Sequence, residues 1–224
     1  MEKSNEKKIA RIAGLLYLFF ILFSIISDIF GKIGFGNTET IINRIISYEF
    51  TFRIGFTMAL FSALFFLLAA WSLYVLLKRV NKNIALLFVL LNLCGVAIQS
   101  LSILNLIAGM LVIQESQIQA ALFINLYKNG FNISQVFYGA WVFPLGYLIY
   151  KSKIIPKILG IFLMIDCFAI LTYFLQFFIL PDLKLIAYPC YVISAISEFS
   201  LTFWLLIKGV KDNNKINCVR PYVA

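Results

Sequence analysis

The sequence predicts an all-α fold, a polytopic membrane bundle of six transmembrane helices with both termini cytoplasmic, and three observations predict it. The chain is 62% hydrophobic and only 13% charged, with a mean hydropathy of +0.94, far from the roughly 25% charged residues of soluble domains. Its leucine, isoleucine and phenylalanine lie in long uninterrupted runs, whereas a membrane β-barrel would alternate apolar and polar residues in short segments. Fourteen of the 19 Lys and Arg residues fall on the N-terminal side of the six spans, which puts that side in the cytoplasm. The bilayer is therefore the first partner. The net charge of +9 sits at span ends, where it sets topology, and no nucleic-acid partner is expected.

Residues 1–11 form a basic, polar cytoplasmic tail with Lys3, Lys7, Lys8 and Arg11. The apolar run that follows is about twenty residues long and lacks a small-x-small cleavage pattern, so it reads as a retained first span over 12–30. Asp28 near its end is expected to pair with Arg53 at the far interface. Asn37-Thr38-Glu39 has the composition of a helix start, and Ile41, Ile42, Ile45 and Ile46 give that helix an apolar face to lay along the membrane. The second span covers 56–77 and ends in Lys78, Arg79 and Lys82. The third covers 84–107 within an apolar run that continues to Val112, longer than one upright crossing at about 1.5 Å per residue. Asn92, Gly95, Gln99, Ser102, Asn105 and Gly109 recur along it at helical spacing, a polar, small-residue stripe suited to close helix contact and interhelical hydrogen bonds.

After a loop with a short helix over 120–127, stopped by Lys128-Asn129-Gly130, the fourth span covers 132–150. Gly139, Pro144 and Gly146 predict a bend there that leaves the Ala140 carbonyl without its usual partner. Asn132-Ile133-Ser134 has the spacing of a glycosylation sequon but falls at a span edge. Lys151, Lys153 and Lys157 precede the fifth span, 158–180. Pro181-Asp182 turns the chain into the sixth, 185–207, and residues 211–224 form a cytoplasmic C-terminal tail. The transmembrane domain as a whole is 12–210.

The order and spacing of several pieces resemble a known family. They are Arg11-Ile12-Ala13-Gly14-Leu15-Leu16-Tyr17-Leu18, Tyr74-Val75-Leu76-Leu77-Lys78, Phe137-Tyr138-Gly139, Leu145-Gly146-Tyr147-Leu148, Pro156 with Leu159-Gly160, and Ser197-Glu198 with Trp204-Leu205-Leu206-Ile207-Lys208-Gly209-Val210. Together these are similar to the bacterial integral membrane proteins grouped as domain of unknown function 4386. The resemblance implies a six-helix fold in a bacterial cytoplasmic membrane and no particular activity. The third span of that family often carries an arginine near the position of Asn92, so a pairing of that arginine with Glu198 does not transfer to this chain.

Function is expected at the acids. A charged carboxyl near the middle of a bilayer costs at least ~2.5 kcal/mol on insertion scales, so Glu198 and Asp166 should face other helices or enclosed water. Counted from the basic ends of their helices, Asn92, Asp166 and Glu198 all fall about 12 to 14 Å inside, which predicts one polar layer. With Gln99 and Tyr138 they make the candidate ligand or proton site. The absence of histidine removes His-bound zinc, Ser-His-Asp triads and histidine proton relays. Four scattered cysteines give no disulfide framework or metal motif, and no cofactor is expected. Three functions fit these residues: a small-molecule or ion carrier or binding protein using its carboxylates, a structural, regulatory or protective membrane protein, and a lipid-modifying enzyme using the two acids as general acid and base.

Overall fold

The structure, a computed structural model, describes residues 2–210, and there the chain is all-helical. Seven α-helices follow in order: α1 Glu2–Gly31, α2 Thr38–Ser47, α3 Glu49–Leu77, α4 Lys82–Val112, α5 Gln117–Ser152, α6 Lys157–Ile179 and, after a 3-10 turn at Lys184–Ile186, α7 Ala187–Ile207. The expected C-terminal tail, with Lys211, Lys215, Cys218 and Arg220, lies outside the described residues. Five helices, α1, α3, α4, α6 and α7, are long and apolar enough to cross a membrane. The sixth long helix, α5, is less apolar because it is the most enclosed. Its buried set includes Asn132, Ser134, Tyr138 and Trp141, which face other helices where polar and aromatic groups find partners.

The six long helices form a closed ring in which α1 packs on α3, α3 on α4, α4 on α5, α5 on α6, α6 on α7 and α7 back on α1. Outward-facing Leu, Ile and Phe side chains on the ring are exposed, as a lipid-facing surface requires. Capping follows the sequence: the Asn37 carboxamide accepts from the Thr40 N–H at 2.7 Å, Asn81 from Ile84 at 3.1 Å, and the Ser116 hydroxyl from Gln119 at 3.3 Å. The ring is drawn tight where glycines let backbones touch. An added Cβ on Gly55 would lie 2.5 Å from the Gly31 Cα, and one on Gly160 would lie 2.6 Å from the Gly146 carbonyl oxygen. The α4 stripe does the packing its composition predicts, since a Cβ at Gly95 would enter the Tyr138 ring and one at Gly130 would meet the Ser102 hydroxyl.

Two expectations are corrected. The helix over 120–127 and the span from 132 are one unbroken helix, α5. Lys128-Asn129-Gly130 does not stop it, because Gly130 is needed inside the helix to let α4 approach. Asp28 does not pair with Arg53. The Arg53 guanidinium bonds Glu49 one turn back on α3, at 2.6 Å, and Asp28 is taken by the loop after α1. The glycines flanking Pro144 also serve close packing of α5 on α6, since Cβ atoms at Gly139 and Gly146 would strike Leu171, Met164 and the Gly160 carbonyl, and Pro144 is buried within the helix. The sequon spacing is likewise structural, with Asn132 and Ser134 both buried and bonded to the carbonyls of Lys128 and Phe131.

At the end of the bundle where the chain begins, lysines rest against tyrosines one turn inside: Lys78 over Tyr74, Lys151 over Tyr147 and Lys157 over Tyr150, at 5.8, 5.8 and 5.2 Å from the ring centres. Such pairs keep the charge at an interface while the stem lies along apolar surface. An ion pair of Arg79 with Glu6 ties the first turns of α1 to the turn between α3 and α4, so the expected polar tail is helical from Glu2 onward.

Candidate functional site

The ring encloses a cavity of about 240 Å³ to which all six long helices contribute. It runs from the end of the bundle capped by α2 to the middle of α7, where Glu198 stands. The stripe Tyr17, Phe20, Ser24, Asp28 of α1 follows it at helical spacing; Phe20, Ser24 and Asp28 line it. On the opposite wall α5 presents Gln135, Tyr138 and Trp141 and α7 presents Cys190, Tyr191 and Ser194.

The floor is built on three helices. The Tyr17 hydroxyl and the Glu198 carboxyl lie close enough to interact, while part of Glu198 remains accessible from the cavity. One turn before it, the Ser194 hydroxyl donates to Asp166 Oδ1 on α6. Asp166 is 0% exposed, and its second carboxyl oxygen has no hydrogen-bond partner. The two acids are near enough for their charges to interact. Beside them stands a continuous aromatic cluster: Tyr17 meets Phe20 and Phe66 edge-on at 5.4 and 5.8 Å, and Phe66 in turn meets Tyr138 at 5.2 Å and Trp141 at 5.0 Å. Tyr138 is fixed by a hydrogen bond from its hydroxyl to the Gln99 carbonyl, made possible by Gly95 beneath its ring.

Asp28 shapes the mouth. Its Oδ1 accepts from the Gly34 N–H at 3.1 Å and the Phe35 N–H at 3.0 Å, pinning the α1–α2 loop over the cavity. Lys32 turns the chain there with a left-handed φ of 55°, and Gly36 follows because a Cβ would lie 2.1 Å from the Lys32 carbonyl oxygen. Phe35, 75% exposed, leans edge-on against Tyr191 at 5.6 Å, and Tyr191 lies tilted against Tyr173 at 5.1 Å. A second hollow of about 190 Å³ lies outside these rings and shares Phe35, Tyr173 and Tyr191 as walls. Lys128 borders it, donating to the Gly36 carbonyl at 3.1 Å.

Replacing Asp28 by alanine should therefore release the loop without unfolding the ring. Two N–H groups lose an acceptor, at about 0.5–1.5 kcal/mol each, so amide exchange at Gly34 and Phe35 should quicken by about tenfold or more. Glu49→Ala, which breaks only the exposed pair with Arg53, should change stability by less than about 0.5 kcal/mol. Unchanged exchange in Asp28→Ala would show the loop is held by its aromatic contacts instead.

Of the residues singled out from the sequence, Glu198, Asp166, Gln99 and Tyr138 come together around the cavity. Asn92 does not. It is 0% exposed on the α4 stripe, with neither amide atom hydrogen-bonded, and is not among the cavity-lining residues. Sequence reasoning missed Tyr17, Phe66 and Trp141. The Tyr17 stripe was visible as spacing, but aromatic residues in an apolar run carry no sign of which face looks inward. Among the described residues no group of His, Cys, Asp and Glu is arranged to hold a metal ion.

No solved structure matches the chain. An uncharacterized protein of Archaeoglobus fulgidus is 28% identical over 144 residues, covering 63% of this chain and 75% of that protein. The family described as "Domain of unknown function (DUF4386)" matches residues 12–209, from the first turns of α1 that bear Tyr17 to the end of α7 beyond Glu198, and the chain belongs to that family.

Proposed function

We propose that the protein is a six-span carrier or binding protein of a prokaryotic cytoplasmic membrane, with both termini in the cytoplasm, and that Glu198 and Asp166 hold a small molecule or ion inside the ring. The observation that supports this reading is the cavity itself, which leads from the α2 end to the Glu198 carboxyl. An ionisable group at membrane depth facing enclosed water marks a ligand or proton path by default. A purely structural role accounts for Gly95 and Asn105 on α4 but leaves a hollow lined by Gln99, Gln135, Ser194 and Glu198 without a purpose.

Access is testable without knowing the ligand. In a chain freed of its native cysteines, Ser24→Cys should react with a membrane-impermeant thiol reagent added from the α2 side and not from the other. No reaction from either side would sink the reading, because the cavity would then be closed and dry. Topology is tested separately. Reporters fused at the N-terminus and in the turns at Lys78–Lys82 and Lys151–Lys157 should all report the cytoplasm, and an external signal from either turn would break the six-span arrangement.

A further inference from the structure

The walls of the cavity narrow its ligand to one chemical class, an inference that rests on the binding reading above. Among the described residues the charged side chains lining it are Asp28 and Glu198, with Asp166 behind Ser194, and no Lys or Arg. Asp28 is occupied by two backbone N–H groups, which leaves the charge at the floor to Glu198 and Asp166. An anion would meet repulsion from these acids when they are ionised, and a cation is the ligand that lets them stay ionised in a low-dielectric setting, where without a counter-charge they take up protons instead. A bare hard cation asks for six or so converging oxygens, whereas Gln99 and Ser194 are already bonded to Tyr138 and Asp166, and beside Ser24 and Gln135 the lining includes the rings of Phe20, Phe66, Tyr138 and Trp141. Aromatic faces beside a carboxylate are the chemistry that holds an organic ammonium group, through cation–π attraction on one side and ion pairing on the other. At about 240 Å³ the space falls below the roughly 300–1,000 Å³ of pockets for drug-sized ligands.

We propose that the cavity binds a compact organic cation, a small amine or quaternary ammonium ion, with its charged nitrogen between Glu198 and the Phe20–Phe66–Trp141 aromatic cluster and its apolar end toward Tyr173 and Tyr191.

The test uses the full chain in lipid nanodiscs and three probes of similar size: trimethylphenylammonium, its uncharged isostere tert-butylbenzene, and benzoate. Trimethylphenylammonium should bind saturably and quench tryptophan fluorescence through Trp141. Its Kd should weaken at least tenfold in Glu198→Gln. In Phe20→Leu, which keeps the carboxyls and removes one π face, it should weaken about three- to fivefold; this second variant carries the test if Glu198→Gln fails to fold. In both variants the loss for trimethylphenylammonium should exceed any change in the binding of tert-butylbenzene, which shares the apolar contacts and lacks the charge. Stronger binding of tert-butylbenzene or benzoate than of the cation would overturn the organic-cation assignment while leaving a ligand-binding cavity in place. Absence of saturable binding by trimethylphenylammonium overturns the assignment too. Labelling at Ser24→Cys then decides whether the cavity reading falls with it.

Discussion

Gly160→Val is expected to lose at least about 3 kcal/mol of stability, and Gly160→Ala about 2 kcal/mol. The reason is what an added Cβ meets: the Gly146 carbonyl oxygen at 2.6 Å and the Tyr150 amide nitrogen at 2.8 Å. Both are backbone atoms inside α5, so no side chain can swing away, and α5 and α6 must part along the whole seam. Alanine is otherwise the better helix former by about 1 kcal/mol, which makes the sign informative. Gly109→Ala is the matched control. Its Cβ would find its nearest neighbours at an ordinary 3.4 Å, and the substitution should be neutral or stabilising. Thermal unfolding in one detergent reads both, and equal effects at the two sites would show that the α5–α6 crossing is looser than its geometry.

Trp141→Ala is expected to destabilise by about 3–5 kcal/mol, the range for deleting a buried large aromatic. The indole is 1% exposed, meets Phe66 edge-on at 5.0 Å and lies 6.1 Å from Phe88. Part of its surface forms the cavity wall, so water can fill some of the space left behind and the loss should fall toward the lower end. Trp141→Phe retains a ring and should cost about half as much. The two variants separate packing from recognition: a compact cation should bind Trp141→Ala more weakly even at temperatures where that variant is fully folded. A destabilisation below about 1 kcal/mol would show that Trp141 is a lining residue only.

Much of the bundle was legible because its signals are local. Lysines at span ends, Asn37 at a helix start, and the Gly95–Gly109 stripe each state their role within a few residues. Gly130 was misread for the same reason. Next to Lys128-Asn129 it has the local chemistry of a helix stop, and only the approach of Ser102, from a helix far away in sequence, gives it a different task. The site was half legible. Counting residues from the basic end gives height in the membrane, and Asp166 and Glu198 do lie together. Height says nothing of direction around a ring, so Asn92 was grouped with the acids although it sits on the stripe that faces α5. Asp28 was assigned by charge to Arg53, yet the backbone of Gly34 and Phe35 reaches it first, and backbone donors leave no mark in a sequence.

The glycine contacts have a mechanical meaning. Gly160 on Gly146, and Gly14 on Leu205 and Leu206, hold α6 and α7 to their neighbours near the lysine-bearing end of the bundle, with main chains in contact. Toward the α2 end the same two helices are joined by rings, Tyr173 to Tyr191 and Phe35 to Tyr191. A pair of rods fixed main chain to main chain at one end and by side chains beyond it, at Leu171 on Gly139 and at the latch, is a lever. From Gly160 to Tyr173 the arm is about 20 Å long, so a swing of about 10° at the fulcrum carries that ring about 3.4 Å. That travel is enough to part aromatic rings that attract one another only over centroid separations of about 4.5–7 Å, and it would open the latch above Glu198 while the fulcrum stays shut.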